Sequence, residues 1–542
     1  MEEEEEIEEE VQYESLYDDN DEPDLSVVLA LLLRSGQVRL SQGVINRFGE
    51  GSDEDDEDAS ENQAGLEEPD TIKESDLTQD VLLHTGRLAN TKANSKESIV
   101  KSVWKRELSC CGAKRKNVFT AGCQTAICSH QIPNTVVNSV SLREKVFCGI
   151  YSEDGNTFLS ACQDSHLRVY DANRFDDVSR TCKPFKNIPA LDIGWSILDV
   201  AFSPDALYLA YTTWSSVLHI ASIYDNEDVN LSSHHAMDLR PENYNFAAFS
   251  LQFSADNNEV LCGGNDGHLY IYDRNRNSRT SRIYAHEDDI NAIRFADKGS
   301  QILYSGGDDG LVNVWDRRML HENSPQKVGS FAGHVDGITF IDSKDDSRYL
   351  LSNSKDQTIK VWDVRKFSSA GAQEAVKVAV ARQAWDYRWQ QVPRRQRNRK
   401  KTVAGDTSIK TYHGHEVTNT LIRARFSPMH TTGQRYIYTG CSKGNVVIYD
   451  ILTGEIVSKI KRHKHCVRDV SWHPYEPKLV STSWDGTFSV WSHETEAGDV
   501  EMDISKPSRK RRLGGKDCDE EDGHSYGLRR SPRLARANYT ST

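Results

Sequence analysis

The sequence predicts an all-β protein: a closed ring of seven four-stranded blades with short N-terminal helical segments and disordered tails. Three observations predict it. One strand frame recurs, as SACQDSHLRVYD (160–171), CGGNDGHLYIYD (262–273), SGGDDGLVNVWD (305–316), SNSKDQTIKVWD (352–363), TGCSKGNVVIYD (439–450) and STSWDGTFSVW (481–491). A degenerate copy, TTWSSVLHIAS (212–222), falls midway between the first two. Each copy alternates short β-branched strands with Gly, Asp and Ser turns, the pattern of an antiparallel sheet. Upstream of three of them stands His-x-x-x-Val/Ile: His286/Ile290, His334/Ile338 and His463/Val467. Self-similarity at this period marks a repeat fold, and seven radial blades leave only short sheet edges.

In chain order, an acidic arm comes first. Residues 1–80 carry 28 acids and 4 bases, which leaves residues 81–542 mildly basic although the whole chain is at −16. Residues 1–24 and 48–75 are acidic and low in apolar content, so the arm 1–75 is expected to be mostly disordered. Within them Asp24 can N-cap a short apolar helix over 25–35, stopped by Gly36. Leu25, Val28, Leu29 and Leu32 share one face and Val27, Leu31 and Leu33 another, so that helix needs burial on more than one side. It fits its own ring or a partner's groove. Residues 76–140 are expected to form a pre-ring docking segment, with helical pieces at DLTQDVLLH and SKESIVKSVWKREL and an outer strand in 115–140 that closes the ring. The ring spans 141–495. Its frames are spaced 42 to 51 residues apart except for one gap of 87, so 366–412 reads as an insertion and not as an eighth blade. A tail of basic and acidic runs, 496–542, follows.

The frames resemble the WD-repeat family over roughly 141–495, which implies a seven-bladed WD-repeat β-propeller. The resemblance implies a hydrogen-bonded chain across each regular blade. Its members are His286, Ser305, Asp309 and Trp315 in blade four, and His334, Ser352, Asp356 and Trp362 in blade five. In blade seven they are His463, Ser481, Asp485 and Trp491. His/Ser/Asp sets that recur blade after blade read as staples and not as a hydrolase triad, which is a single constellation at one site. Blades two and six carry Ser215 and Lys443 at the frame Asp, and are expected to be less rigid.

Two frames end in Trp-Asp-x-Arg: Trp315, Asp316 and Arg318, then Trp362, Asp363 and Arg365. The core requires no arginine there, and a guanidinium on the rim can fork onto carboxylates or carbonyls of a partner. The pair on consecutive blades is similar to the motif of the DDB–cullin-4-associated factors, the substrate receptors of cullin-4 RING ubiquitin ligases. Stretches such as KVFCGIYSEDG, GWSILDVAFSPD, AWDYRWQQVP and CVRDVSWHP carry the resemblance through most of 145–492. It implies a non-catalytic subunit whose arginines contact the DDB adaptor of the cullin-4 RING ligase core, aided by a helical segment before the ring. Protein substrates are then expected on the opposite, top face. The residue before each frame Asp lies there: Gln163, Asn265, Asp308, Lys355 and Trp484, with Trp214 as the counterpart in blade two. Each tryptophan also reads as a plug for the end of the channel.

Other classes are disfavoured. No P-loop, dinucleotide fingerprint or unexplained nucleophile–base set points to an enzyme, and no cofactor is expected. Eleven cysteines include no C-x-x-C pair, so metal ligands are not expected and reduced thiols are. The longest apolar run, Leu25–Leu33, is too short to span a membrane, and the start lacks a secretory signal. RRQRNRKK (394–401), KPSRKRRL (506–513) and LRRSPRLARA (528–537) suggest nuclear import, with cytoplasmic residence also open. They lack an aromatic platform, so no specific nucleic-acid readout is expected. A nuclear scaffold in a chromatin or RNA–protein assembly is the alternative function.

Overall fold

In a computed structural model of the chain, the repeated frames fold into seven four-stranded antiparallel sheets. The structure describes residues 76–85, 125, 128–176, 182–224, 234–240, 246–393 and 403–494. The expected helix at 25–35, the piece at 95–108, the basic run 394–401 and the tail 496–542 lie outside them.

Blade four shows the pattern: Ile290–Phe295, Ile302–Gly307, Leu311–Asp316 and Gly329–Ala332 pair in sequence from the inside outward. The ring closes between chain ends. Thr135–Ser141 pairs with Thr487–Ser492 as the outer strand of blade seven. The propeller therefore begins at Thr135 and not at 141, because this edge can be paired only by a segment from before blade one. In blade five the outer strand is Lys410–His413, so most of 366–412 loops out between the third and fourth strands, and its last residues belong to the blade.

Strands buried on both faces read as near-continuous apolar runs, and the core lies in the seams between blades. Trp315 packs with Leu261, Leu269 and Ile283 of blade three. Trp362 packs with Tyr304, Val312 and Phe331 of blade four. Burying such a side chain contributes about 1.5–3 kcal/mol.

The turn after the frame position needs a left-handed residue. Ser165, Gly267, Gly310, Gln357, Gly444 and Gly486 all sit there with φ between 67° and 79°. Glycine accepts this without cost, whereas Gln357 is compensated by its side chain. Its amide donates to the Lys355 and Val417 carbonyls at 2.6 and 3.0 Å and accepts from the Val417 N–H at 2.7 Å, which ties blade five to the loop entering blade six.

The central channel is crossed by buried ion pairs. Arg423 of blade six reaches Asp199 of blade two at 2.5 Å and Asp469 of blade seven at 3.0 Å. Arg425 holds the other Asp469 oxygen at 2.6 Å. Burial alone would raise the Asp469 carboxyl, but the Arg425 and Arg423 guanidiniums hold it below the usual carboxylate range.

Two helices leave the ring. Helix α1 (Asp76–His84) buries Leu77 and Val81 at the bottom of the seam between blades five and six, against Tyr349, Val361, Phe426 and Ile451. Helix α2 (Ala370–Ala381) is capped by Ser369 and buries Ala372 and Val376 on Leu311 and Ala332 of blade four. A buried pair, Lys360 Nζ to Asp406 Oδ2 at 2.6 Å, pins the end of the insertion to blade five. Among the described residues, no helix is long and apolar enough to cross a membrane.

Candidate partner-binding surfaces

The regular blades are held by a repeated polar chain. In blade five, Trp362 Nε1 donates to Ser352 Oγ at 2.8 Å and His334 Nε2 lies 2.7 Å from the same oxygen. His334 Nδ1 stands 3.0 Å from Asp356, whose other oxygen accepts from the Thr358 hydroxyl. Blade four repeats this with Trp315, Ser305, His286 and Asp309, and blade seven with Trp491, Ser481, His463 and Asp485. The imidazoles hold Asp309, Asp356 and Asp485 below the usual range against a burial penalty that alone would raise them. Elsewhere the same space is filled differently. Asp164 is forked by Arg168, and Asp266 accepts from the Tyr270 hydroxyl at 2.5 Å. Tyr211 stacks on His219 in blade two, and in blade six His415 bridges Tyr449 and Asn353.

On the bottom rim each Trp-Asp-x-Arg closes on itself. Asp316 accepts the Arg318 backbone N–H at 3.0 Å, and the Arg318 guanidinium folds back onto both carboxylate oxygens at 3.0 and 2.7 Å. Asp363 does the same for Arg365. The spacing is thus a local chelate: the Asp turns the chain, and the residue two positions later returns to it. The arginine expected to be surplus has an intrachain partner. Trp315 and Trp362 are buried, and they serve the staple; only the arginines of the motif project far enough to meet a partner, which corrects the grouping of all six residues as one contact.

The two arginines are not equivalent. Arg318 pairs with Asp316 and its side chain is 70% exposed. Arg365 also reaches Asp76 of α1 at 2.8 Å, and Arg348 pairs with Asp76 and with Asp80. Asp76 is held below the ordinary carboxylate range by its hydrogen bonds to Arg365 and Arg348. Sequence reasoning had no signal for this contact between positions so far apart in the chain.

The top face is divided. Over blades four to six it is roofed by the insertion: Tyr387 lies on Lys355, whose Nζ is 4.3 Å from the ring centroid, and its carbonyl accepts from Asn419 N at 2.7 Å. Lys355 is itself buried and paired with Asp308 at 2.7 Å, so neither is the open contact the sequence suggested. Asn265 is part-buried and accepts from Ala247 N at 3.1 Å, and Gln163 is also part-buried. Over blades seven, one, two and three runs an aromatic row, Trp484–Phe147–Trp195–Trp214–Phe249, with ring centroids 5.8, 5.9, 6.5 and 5.7 Å apart. Trp214 and Trp484 are half-buried in this row. Its most open member is Trp195, which is half exposed and which the frame alignment misses because it lies in the loop entering blade two.

The WD domain, G-beta repeat model matches residues 122–171, 244–273, 277–316, 325–363 and 454–492. The frames of the two irregular blades, two and six, lie outside these matches. The chain is 41% identical to the DDB1- and CUL4-associated factor 11 homolog of Caenorhabditis elegans, over 73% of this chain and 69% of that protein. It is 38% identical to the Caenorhabditis briggsae homolog of the same name, over 75% and 74%. To the LEC14B protein of Lithospermum erythrorhizon it is 39% identical, over 70% and 79%. Built on WD repeats, the chain belongs to the family of the DDB1- and CUL4-associated factor 11 homologs.

Proposed function

We propose that the chain is a non-catalytic substrate receptor of a cullin-4 RING ubiquitin ligase. Its bottom rim binds the DDB adaptor through Arg318 and Arg365, and its top face presents protein substrates for ubiquitination and proteasomal degradation. The observation that carries this is the pair of guanidiniums on adjacent blades of one rim, each pre-oriented by its own aspartate, in a chain whose relatives are named for association with DDB1 and CUL4. A guanidinium already held in place loses less side-chain freedom when a partner arrives. The same reading makes the protein nuclear, with KPSRKRRL as the import signal, and leaves the ubiquitin chemistry to the RING and E2 partners. The test is co-purification of the adaptor with the Arg318→Ala/Arg365→Ala variant. Loss of the adaptor at unchanged thermal stability is expected; wild-type recovery of the adaptor overturns the proposal.

A further inference from the structure

The open half of the top face pairs apolar rings with an excess of positive charge over the exposed carboxylates of Glu144 and Asp192. The loops flanking Trp484 carry Arg143 and Lys145 on one side and Arg462 and Lys464 on the other. All four are exposed, and none has an ion-pair partner among the described residues. Lys145 Nζ stands 5.0 Å from the Trp484 ring centroid, so cation and aromatic form one surface. Such a surface fits an acidic strand of chain with bulky apolar residues spaced along it: the carboxylates meet the cations while the apolar groups cover the exposed indole of Trp195.

This chain contains such a segment. Residues 1–24 hold fourteen acids and no lysine or arginine, interrupted by Ile7, Val11, Tyr13, Leu16 and Tyr17. We propose that this N-terminal segment occupies the aromatic–basic half of the top face of its own propeller. The 51 residues between residue 24 and Asp76 can extend to on the order of 170 Å at most. That is several times the roughly 20 Å of a six-residue strand, so passage from α1 at the bottom to the top face is not limited by length. Tethering raises the effective concentration to about the millimolar range, so contacts that are individually weak suffice. The docking itself stands on the chemistry of this surface; its consequence, that a substrate must displace the arm, rests on the receptor reading above.

The test uses the full chain and needs no adaptor. Zero-length carbodiimide coupling, followed by peptide mapping of the monomer band, is expected to join Lys145 or Lys464 to glutamates within residues 2–22. In the Lys145→Glu/Lys464→Glu variant, coupling of the arm to this face through any remaining lysine should fall roughly tenfold or more, since like charges then face each other. Acrylamide quenching of the wild type should increase when sodium chloride is raised from 50 to 500 mM, because screening releases the arm from Trp195; the Trp195→Phe variant should lose that increase. Arm cross-links formed as often to Lys298, on the opposite rim, overturn the proposal. Cross-links found only between two chains also overturn it, in favour of a second copy as the occupant.

Discussion

Ser352→Ala should be among the most damaging single-atom deletions in the molecule. The Ser352 oxygen takes the Trp362 indole N–H at 2.8 Å and meets His334 Nε2 at 2.7 Å, and all three side chains are buried. Alanine leaves two buried polar groups without a partner. At about 1–3 kcal/mol for each unsatisfied group, the loss is roughly 2–6 kcal/mol. The assay is urea unfolding of the full chain followed by far-UV circular dichroism, with Trp362→Phe and the double variant completing a cycle. Without the indole N–H, removing the hydroxyl strands only the histidine, so the double variant should be less destabilised than the sum by about 1–2 kcal/mol. A single-variant loss below about 1 kcal/mol, or an additive cycle, would refute the staple as an energetic unit.

Arg423→Leu takes the cation from Asp199, leaving its carboxylate the Val200 and Leu251 N–H groups, and one of two guanidiniums from Asp469, and should cost about 3–5 kcal/mol by the same unfolding assay. Acid should act in two windows. Burial pushes His415 down to about 3, so its stabilising share is complete above the unfolded value of about 6.5 and is lost as pH falls toward 3. Asp309, Asp356 and Asp485 are also depressed, from an unfolded value of about 3.9, so their share is lost only below about pH 4. A His415→Gln variant should therefore show a flatter stability profile between pH 6.5 and 4 with the lower window unchanged. Asp76→Asn releases Arg365 from its α1 partner while Asp363 still orients it, so adaptor affinity measured by calorimetry should rise; a fall would mean that α1 aims the arginine rather than occupying it.

The blade frames were legible because each is local: the turn Asp, the strand-terminal Asp and the tryptophan lie within seven residues, and repetition separates them from chance. Contacts that join distant parts of the chain left no such trace. Thr135–Ser141 fits the ring-closing outer strand expected within 115–140, but its bounds and register in blade seven are fixed by the open edge at Thr487–Ser492. The apolar face of α1 would suit many partners, and only the fold shows that Leu77 and Val81 fill the seam beside Tyr349 and Phe426. Lys355 looked open from its turn position, but the tyrosine that covers it comes from an insertion without repeat character. Gln357 stands in the left-handed turn position that four other blades fill with glycine for a reason visible only across the seam, in its bonds to Val417.

The same geometry joins blade stability to the rim. Trp362 is held by Ser352, Asp363 follows it in the strand, and Asp363 orients Arg365 through both the backbone and the guanidinium. Two residues, Asp363 and Val364, separate the buried anchor from the exposed charge, so the staple and the position of Arg365 are coupled through one short strand end. Arg318 depends in the same way on Trp315 and Ser305. Two rigid blades side by side hold two guanidiniums at a fixed separation, which a flexible surface could not do with the same residues. Arg365 alone also answers to α1 through Asp76, so whatever moves α1 changes one half of the pair and not the other. The rim therefore presents Arg318, held by its own aspartate, beside Arg365, which is held by its aspartate and by α1 as well.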